Sequence, residues 1–185
     1  MNTLIIDSSN KYLAVGIVVD GQIVSKKQDI LKQKQSEYLI TYVQDVLKEA
    51  KLDRLDIDAI VLTDGPGSYT GMRIAMTFAK VFALTKPIQL YTLNTLLSLT
   101  QEKNGFVFLA ARSKRTFGAF LENGKLKDEN VDTLDEIKEI NVPLCGDVEL
   151  LGKDAQEVDV VGNILAQKDA WEEVKDPNLL SPRYA

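Results

Sequence analysis

The chain has 185 residues and contains no histidine. Histidine is the commonest general base near neutral pH and the commonest transition-metal ligand. Its absence excludes Ser-His-Asp and Cys-His hydrolases, zinc peptidases and histidine-ligated iron sites built from this chain alone. Any catalysis by this chain would have to use carboxylates, lysines or backbone amides, and the alternative is that the chain is not catalytic.

Cysteine and long apolar segments are also scarce. The single Cys145 forms neither an intramolecular disulfide nor a multi-thiolate metal site, which fits a reducing compartment. The longest apolar runs, such as 4–6 and 59–62, are far shorter than the roughly 20 residues that span a bilayer. The polar start, which reaches a charge at Asp7, does not resemble a signal peptide. We therefore predict a cytoplasmic protein without a membrane segment.

Positive charge is in deficit, with a net charge of -5 and a pI near 4.9. This balance argues against a free-standing nucleic-acid binder, which usually has a concentrated basic surface. Two short basic clusters occur, one at Lys26-Lys27 with Lys32 and Lys34 and one formed by Arg112, Lys114 and Arg115. We interpret both as solvated faces, the commoner origin of such clusters.

The hydrophobic content of 45% is sufficient for one medium domain or two small ones. Continuous or alternating apolar runs predict strands, and Asp20-Gly21 is suited to a two-residue hairpin turn. Ser36 is a suitable cap for the first helix. The first half is predicted as three strands followed by three helices that alternate with two further strands: 4–6, 12–19, 22–28, 36–50, 59–63, 71–84, 88–91 and 93–100.

The second half repeats the start of the first at an offset of 103 residues. Asn123-Gly124 stands where Asp20-Gly21 stood, and Ala110 where Asp7 stood. Two equal hairpins indicate a degenerate duplication. The element order resembles the ribonuclease H-like half-domain of the actin-type ATPase superfamily. We predict an α/β fold with two such lobes, 1–103 and a smaller, degenerate 104–185, and an extended tail over 177–185.

The turn after the first strand, Asp7-Ser8-Ser9, is a weak candidate for a phosphate or nucleotide site. In the architecture that the order resembles, phosphates lie between the lobes against such turns, and hydroxyls and turn amides bind phosphate oxygens. The structural alternative is that Asp7 only caps its own turn. The matching residue of the second half, Ala110, cannot bind a metal, so a symmetric two-carboxylate site lacks half of its chemistry.

A glycine-rich loop precedes the predicted helix 71–84. It is not a dinucleotide-binding turn, because Thr70 replaces the third glycine, and it is not a P-loop, because Met72 follows Gly71. Ser68 or Thr70 can cap the helix, and Arg73 in the first turn indicates an anionic partner or a structural salt bridge. Tyr69 is either a lid or an exposed contact. The candidate loop comprises Gly65, Pro66, Gly67, Ser68, Tyr69, Thr70, Gly71 and Arg73.

Residues 64–74 closely resemble the Gly-Pro-Gly-Ser-Phe/Tyr-Thr-Gly-Leu/Val/Met-Arg-Ile/Val signature of the bacterial TsaB (YeaZ) family. Members of this family are the dimerisation subunit of the machinery that forms threonylcarbamoyladenosine (t6A) in tRNA, and they have a glycoprotease-like fold. The resemblance is good over 1–100, loose over 104–185, and includes Pro182-Arg183-Tyr184. Two positions depart from the family: Tyr38 replaces a frequent histidine, and Ala110 replaces the aspartate of a second-lobe Asp-Ala-Arg.

The resemblance implies a subunit with no catalytic residue, metal or cofactor of its own. In the family the first-lobe helices pair with TsaD, the catalytic paralogue, whose metal is held by histidines. TsaE, a P-loop ATPase, binds that heterodimer, and the complex transfers a threonylcarbamoyl group to N6 of adenosine 37 in tRNA. We expect the chain to contact tRNA only within the complex. The resemblance leaves both a monomer and a homodimer as states of the isolated chain. The alternatives are a small-molecule kinase of the same superfamily and, more weakly, a peptidase.

The nearly all-apolar helix 71–84 is the predicted contact with the partner. We predict that the bulky Ile74, Phe78 and Val81 pack on the sheet of the chain itself. The smaller or more flexible side chains would then face the partner, with two tyrosines of the preceding helix beside them. The alternative is that they pack inside the monomer. The predicted interface comprises Met72, Met76, Ala79, Ala83, Tyr38 and Tyr42.

Overall fold

The computed structural model describes residues 1–31 and 34–183. The chain folds into two β-sheets with helices packed on them. None of the helices in these ranges is long and apolar enough to cross a membrane. The first part of the chain contains β1 Asn2–Asp7, β2 Tyr12–Val19, β3 Gln22–Ile30, α1 Gln35–Ala50, β4 Ala59–Gly65, α2 Tyr69–Thr85, β5 Gln89–Asn94 and α3 Thr95–Ser98. The second contains β6 Gly105–Ala110, β7 Arg115–Glu122, β8 Lys125–Thr133, α4 Leu134–Lys138, β9 Leu144–Gly146, α5 Val160–Ala166 and β10 Glu172–Glu173.

The first sheet has the strand order β10-β5-β4-β1-β2-β3. β1 pairs antiparallel with β2 and parallel with β4. Helices α1 and α2 cover one face of this sheet, while α3, α5 and the second sheet cover the other. β1, β2 and β4 are therefore buried almost throughout, as expected of strands covered on both faces.

The second sheet repeats this plan with fewer elements, in the order β8-β7-β6-β9. β6 pairs antiparallel with β7 and parallel with β9, just as β1 pairs with β2 and β4. Both predicted hairpin turns are confirmed, because Asp20-Gly21 and Asn123-Gly124 have positive φ angles. Only the five-residue α4 separates β8 from β9, so the second lobe is the reduced one.

The end of the chain returns to the first sheet. β10 pairs with β5 of the first sheet, and Leu180 packs into the first-lobe core. The predicted tail begins with a short 3-10 turn at Pro177–Leu179 rather than an extended segment. Tyr184 and residue 185 of that tail lie outside the described residues. The boundary after residue 103 remains a prediction.

Two helix starts also differ from expectation. α1 begins at Gln35, whose side chain donates to the carbonyl oxygen of Asn10, so Ser36 lies inside the helix and does not cap it. The predicted helix 93–100 is reduced to α3, because Leu93 and Asn94 continue β5 and the Asn94 side chain accepts the amide N–H of Leu96. A tertiary contact and an asparagine cap decide these positions.

Most of the α2 residues that were predicted to face a partner lie inside the chain. Met72, Met76 and Ala79 are buried in the first-lobe core, and so is Tyr42 of α1. The prediction that these four residues face a partner is therefore wrong. Small and flexible side chains let α2 approach the sheet closely. Ile74 and Phe78 are half-buried and also pack against this core, as predicted, whereas Val81 is 56% exposed. Of the remaining predicted contacts, Ala83 is half-buried and Tyr38 is exposed.

This arrangement predicts opposite effects for two glutamate substitutions on α2. Ala79 is 0% exposed, so Ala79→Glu forces an unpaired charge into the core and is expected to destabilise the chain by at least about 3 kcal/mol. The control Val81→Glu, on the exposed face, is expected to change stability by no more than about 0.5 kcal/mol. Urea unfolding of the two variants measures both values. Equal stability of the two would contradict the assigned faces.

Candidate functional site

The carboxylate of Asp7 is the centre of a buried hydrogen-bond cluster at the end of β1. One oxygen, Oδ1, accepts from the amide and hydroxyl of Ser9 at 2.8 and 2.7 Å and from the hydroxyl of Thr63 at 2.9 Å. The other, Oδ2, accepts from Asn10 at 2.9 Å and from Ser98 at 2.8 Å. These donors lie on the β1–β2 turn, β4 and α3. The carboxylate therefore ties three elements together.

The structure supports the structural alternative for the candidate phosphate turn. Asp7, Ser8 and Ser9 are all buried. The Ser8 hydroxyl donates to the carbonyl oxygen of Gly71 at 2.7 Å, and both oxygens of Asp7 already have donors within the chain. The three side chains are thus buried and hydrogen-bonded within the chain.

The glycine loop lies directly on this turn. Gly67 has a φ of 152°, and a Cβ atom at this position would overlap the carbonyl oxygen of Ser9. A Cβ atom at Gly71 would overlap the carbonyl oxygen of Ser8. The amide of Ser68 donates to the Ser9 carbonyl at 2.6 Å. Both glycines are thus required by close backbone approach, and Gly67 also by its φ angle.

The loop leads straight into α2. The Ser68 hydroxyl accepts the amide N–H of Gly71 at 3.2 Å and caps the helix, so Ser68 is the cap of the two candidates, while Thr70 lies in the first turn. The Gly65–Pro66 peptide bond is cis. Ser68, one of the two proposed caps, is confirmed, but α2 begins at Tyr69 and not at Gly71, so the last candidate loop residues lie in its first turns.

Tyr69 and Arg73 form the outer rim of the loop. Arg73 Nη1 donates to the Tyr69 hydroxyl at 2.8 Å, and its guanidinium carbon lies 5.1 Å from the ring centroid. Within residues 1–31 and 34–183, no carboxylate lies within 4.0 Å of Arg73, so the predicted salt bridge is not formed there. Both residues border an open cavity of about 350 Å³, whose other lining residues are Thr70, Ile74 and Thr77.

The inner side of the loop carries a contact that sequence reasoning missed. The backbone of Arg183 passes over Gly65, which has a φ of 129° and no room for a Cβ atom. The Arg183 amide donates to the carbonyl oxygen of Asp64 at 2.6 Å, and its guanidinium bridges Asp64 at 3.3 Å and Glu172 at 2.9 Å. Burial raises the pKa of Asp64, and the Arg183 charge opposes that rise. The tail is thereby fixed to the loop.

A second contact that was not predicted from the sequence is an ion cluster between the first and second lobes. Lys11 Nζ pairs with Asp147 at 2.9 Å and with Glu149, while Asp147 accepts the amide N–H of Ala110 at 2.8 Å. Burial alone would lower the pKa of Lys11, but the two carboxylates raise it above its ordinary value. The second-lobe carboxylate that Ala110 lacks is thus supplied by Asp147, directly after β9. The described residues contain no cluster of three His, Cys, Asp or Glu side chains arranged to hold a metal ion.

The chain is similar to known proteins both in sequence and in fold. A family model described as "TsaD: tRNA N6-adenosine threonylcarbamoyltransferase" matches residues 24–157. The chain is 30% identical to the tRNA threonylcarbamoyladenosine biosynthesis protein TsaB of Bacillus subtilis over 158 residues, which cover 78% of this chain and 69% of that protein. The chain belongs to the TsaB (YeaZ) family. The resemblance carried by residues 64–74 is confirmed.

Two further TsaB-family proteins extend the comparison. TsaB of Escherichia coli is 28% identical over 133 residues, which cover 70% of this chain and 57% of that protein, so the match spans little more than half of the relative. The solved structure of YeaZ from Pseudomonas aeruginosa matches with a TM-score of 0.74 at 18% identity, covering 100% of this chain and 99% of the other. The predicted two-lobed α/β fold of the actin-type superfamily is confirmed.

The close approach at Gly67 predicts that this position tolerates a methyl group less well than another positive-φ glycine. Gly67→Ala combines backbone strain of roughly 1 to 3 kcal/mol with a clash against Ser9, so we expect a loss of about 3 kcal/mol or more. Gly124→Ala is the matched control, because its φ is 77° and nothing lies within 4 Å of the added atom. We expect it to cost about 1 kcal/mol. Thermal unfolding compares the two, and equal losses would show that strain alone acts at Gly67.

Proposed function

We propose that this chain is a non-catalytic subunit of the machinery that forms t6A in tRNA and that it assembles with a TsaD-type catalytic subunit. Its relatives in Bacillus subtilis and Escherichia coli are named as t6A biosynthesis proteins. The closed cluster around Asp7 carries the non-catalytic part of the proposal. The one carboxylate that this fold places at the phosphate turn is fully hydrogen-bonded inside the chain.

The same observation weighs against the kinase alternative. A kinase of this superfamily needs phosphate turns that are open to a nucleotide between the lobes. Here the first turn is buried, and Lys11, the nearest cation, is paired with Asp147 and Glu149 of the other lobe. We therefore do not retain a small-molecule kinase. A peptidase is disfavoured by the absence of histidine.

The outward face of α2 is our proposed docking surface for the TsaD-type partner. It carries apolar side chains at helical spacing, Ile74, Phe78 and Val81, and ends at Leu84, which is 85% exposed. Tyr38 and Ile40 are exposed on α1, which packs beside α2 on the same face of the sheet. An exposed apolar strip of this kind is typical of a protein–protein contact. This face replaces the buried residues of the original prediction.

The remaining partners follow from the family resemblance. We infer that a TsaE-type ATPase binds the heterodimer and that the modification takes place on cytoplasmic tRNA presented to the complex. In the absence of TsaD, the same apolar strip is available to a second copy of the chain. A homodimer and the heterodimer would then compete for one surface.

Reconstitution tests the proposed function. Unmodified tRNA, threonylcarbamoyl-AMP and ATP are incubated with the TsaD-type and TsaE-type proteins of the same organism, with or without this chain. We expect t6A to form only when the chain is present, as measured by mass spectrometry of tRNA nucleosides. The chain alone is expected to turn over neither ATP nor peptides. Equal t6A formation with and without the chain would refute the proposal.

A glutamate on the exposed face of α2 tests the docking surface. We expect Val81→Glu to weaken binding to the TsaD-type protein at least about tenfold, because association would bury the new charge. The matched control is Val24→Glu on β3, where the native valine is similarly exposed at 45%. Both variants should keep their melting temperatures. Titration calorimetry compares the affinities, and equal affinity of the two variants would place the interface elsewhere.

A further inference from the structure

The two basic clusters, which are similar in sequence, differ in their electrostatic surroundings. In the first cluster, Lys26 pairs with Asp159 at 2.6 Å and Lys27 pairs with Asp45 at 2.5 Å. The Lys27 ammonium also lies 4.4 Å from the centroid of the Tyr42 ring. These two lysines are neutralised inside the chain, as expected of a solvated structural face, while Lys32 of the same cluster lies outside the described residues.

The second cluster is not neutralised in this way. Arg112, Lys114 and Arg115 are all exposed, and none forms a hydrogen bond from its side chain or an ion pair with any residue in the ranges 1–31 and 34–183. Hydrogen bonds from Thr133 lower the pKa of Glu136, and the charge of Arg115 lowers it further without an ion pair between the two side chains. Three uncompensated cations within four positions stand out on a chain whose net charge is -5.

The backbone presents these side chains together at one turn. Residues 111–114 connect β6 to β7, and both Ser113 and Lys114 have a φ of 60°. The amide of Ala111 donates to the carbonyl oxygen of Arg115 at 2.8 Å, which closes the turn. The turn follows Ala110, which is hydrogen-bonded to Asp147 in the interlobe ion cluster. The basic turn is therefore held by the sheet and projects at the carboxyl end of β6.

The chemistry of the turn fits a phosphodiester backbone. Arginine and lysine side chains bind phosphate oxygens, and a series of phosphates gains affinity through the release of counterions. A protein partner is less suitable, because protein interfaces are centred on apolar and aromatic side chains and this turn exposes none. We propose that the turn formed by residues 111–115 contacts the phosphate backbone of the tRNA within the assembled complex. This inference rests on the proposed function in t6A formation.

The experiment uses the complex of this chain with its TsaD-type and TsaE-type partners. In one variant Arg112→Gln, Lys114→Gln and Arg115→Gln are combined, and in the control Lys26→Gln is combined with Lys27→Gln. Assembly of each complex is first checked by native mass spectrometry. Binding of unmodified tRNA is then measured by filter binding over a series of salt concentrations. Formation of t6A by the wild-type complex is recorded separately, so that failure of the proposed function is visible by itself.

We expect the triple variant to assemble normally and to bind tRNA about tenfold more weakly. The slope of log K against log salt concentration should decrease in magnitude by about 2 to 3, because each of the three lost phosphate contacts contributes roughly 0.7 to 0.9. The control should retain the wild-type affinity and slope. Unchanged tRNA affinity of the triple variant, with wild-type t6A formation intact, would overturn the inference and leave the proposed function standing. Loss of assembly in the triple variant would show a protein contact instead and would also overturn the inference.

Discussion

The contact on which the first lobe depends is the close approach of the glycine loop to the β1–β2 turn. The carbonyl oxygens of Ser8 and Ser9 occupy the space that side chains at Gly71 and Gly67 would fill. Because Asp7 beneath them is bonded to β4 and α3 as well, the carboxyl edge of the sheet behaves as one packed unit. A larger residue in the loop cannot be accommodated by moving the turn alone, since the turn is held from below.

This contact also fixes the start of α2 and so determines what the helix presents to solvent. The Ser68 cap begins the helix against the turn, and the small or flexible Met72, Met76 and Ala79 then bring it close to β1 and β4. Ile74 and Phe78 pack against the same core while half-buried, and Val81 and Leu84 are exposed to solvent. The tail adds a second fixed point, because Arg183 is bonded to Asp64 at the base of the same loop. A rigid helix with an apolar outer face favours docking, since little conformational freedom is lost on binding.

Whether a structural feature could be predicted from the sequence depends on how far apart in the chain its interacting residues lie. The turns at Asp20-Gly21 and Asn123-Gly124 and the Ser68 cap depend on neighbouring residues, and they were predicted from local chemistry. The orientation of α2 was not, because a helix that is apolar nearly all round does not indicate which side faces the sheet. The Lys11 ion cluster joins residues more than 130 positions apart, and no local pattern marks it. The family was predictable because its signature is itself a contiguous loop.

The distribution of charge gives the two lobes different roles. Lys11 of the first lobe forms ion pairs with Asp147 and Glu149 of the second. The carboxylate of Asp147 also accepts the amide N–H of Ala110. These ion pairs connect the β1–β2 turn to the segment that follows β9. Charge without a partner is found farther out, on the turn that contains Arg112 and Lys114. A hydrogen-bonded Asp7 cluster inside, combined with an apolar helix face and a basic turn outside, is what a subunit needs if it acts through its surfaces.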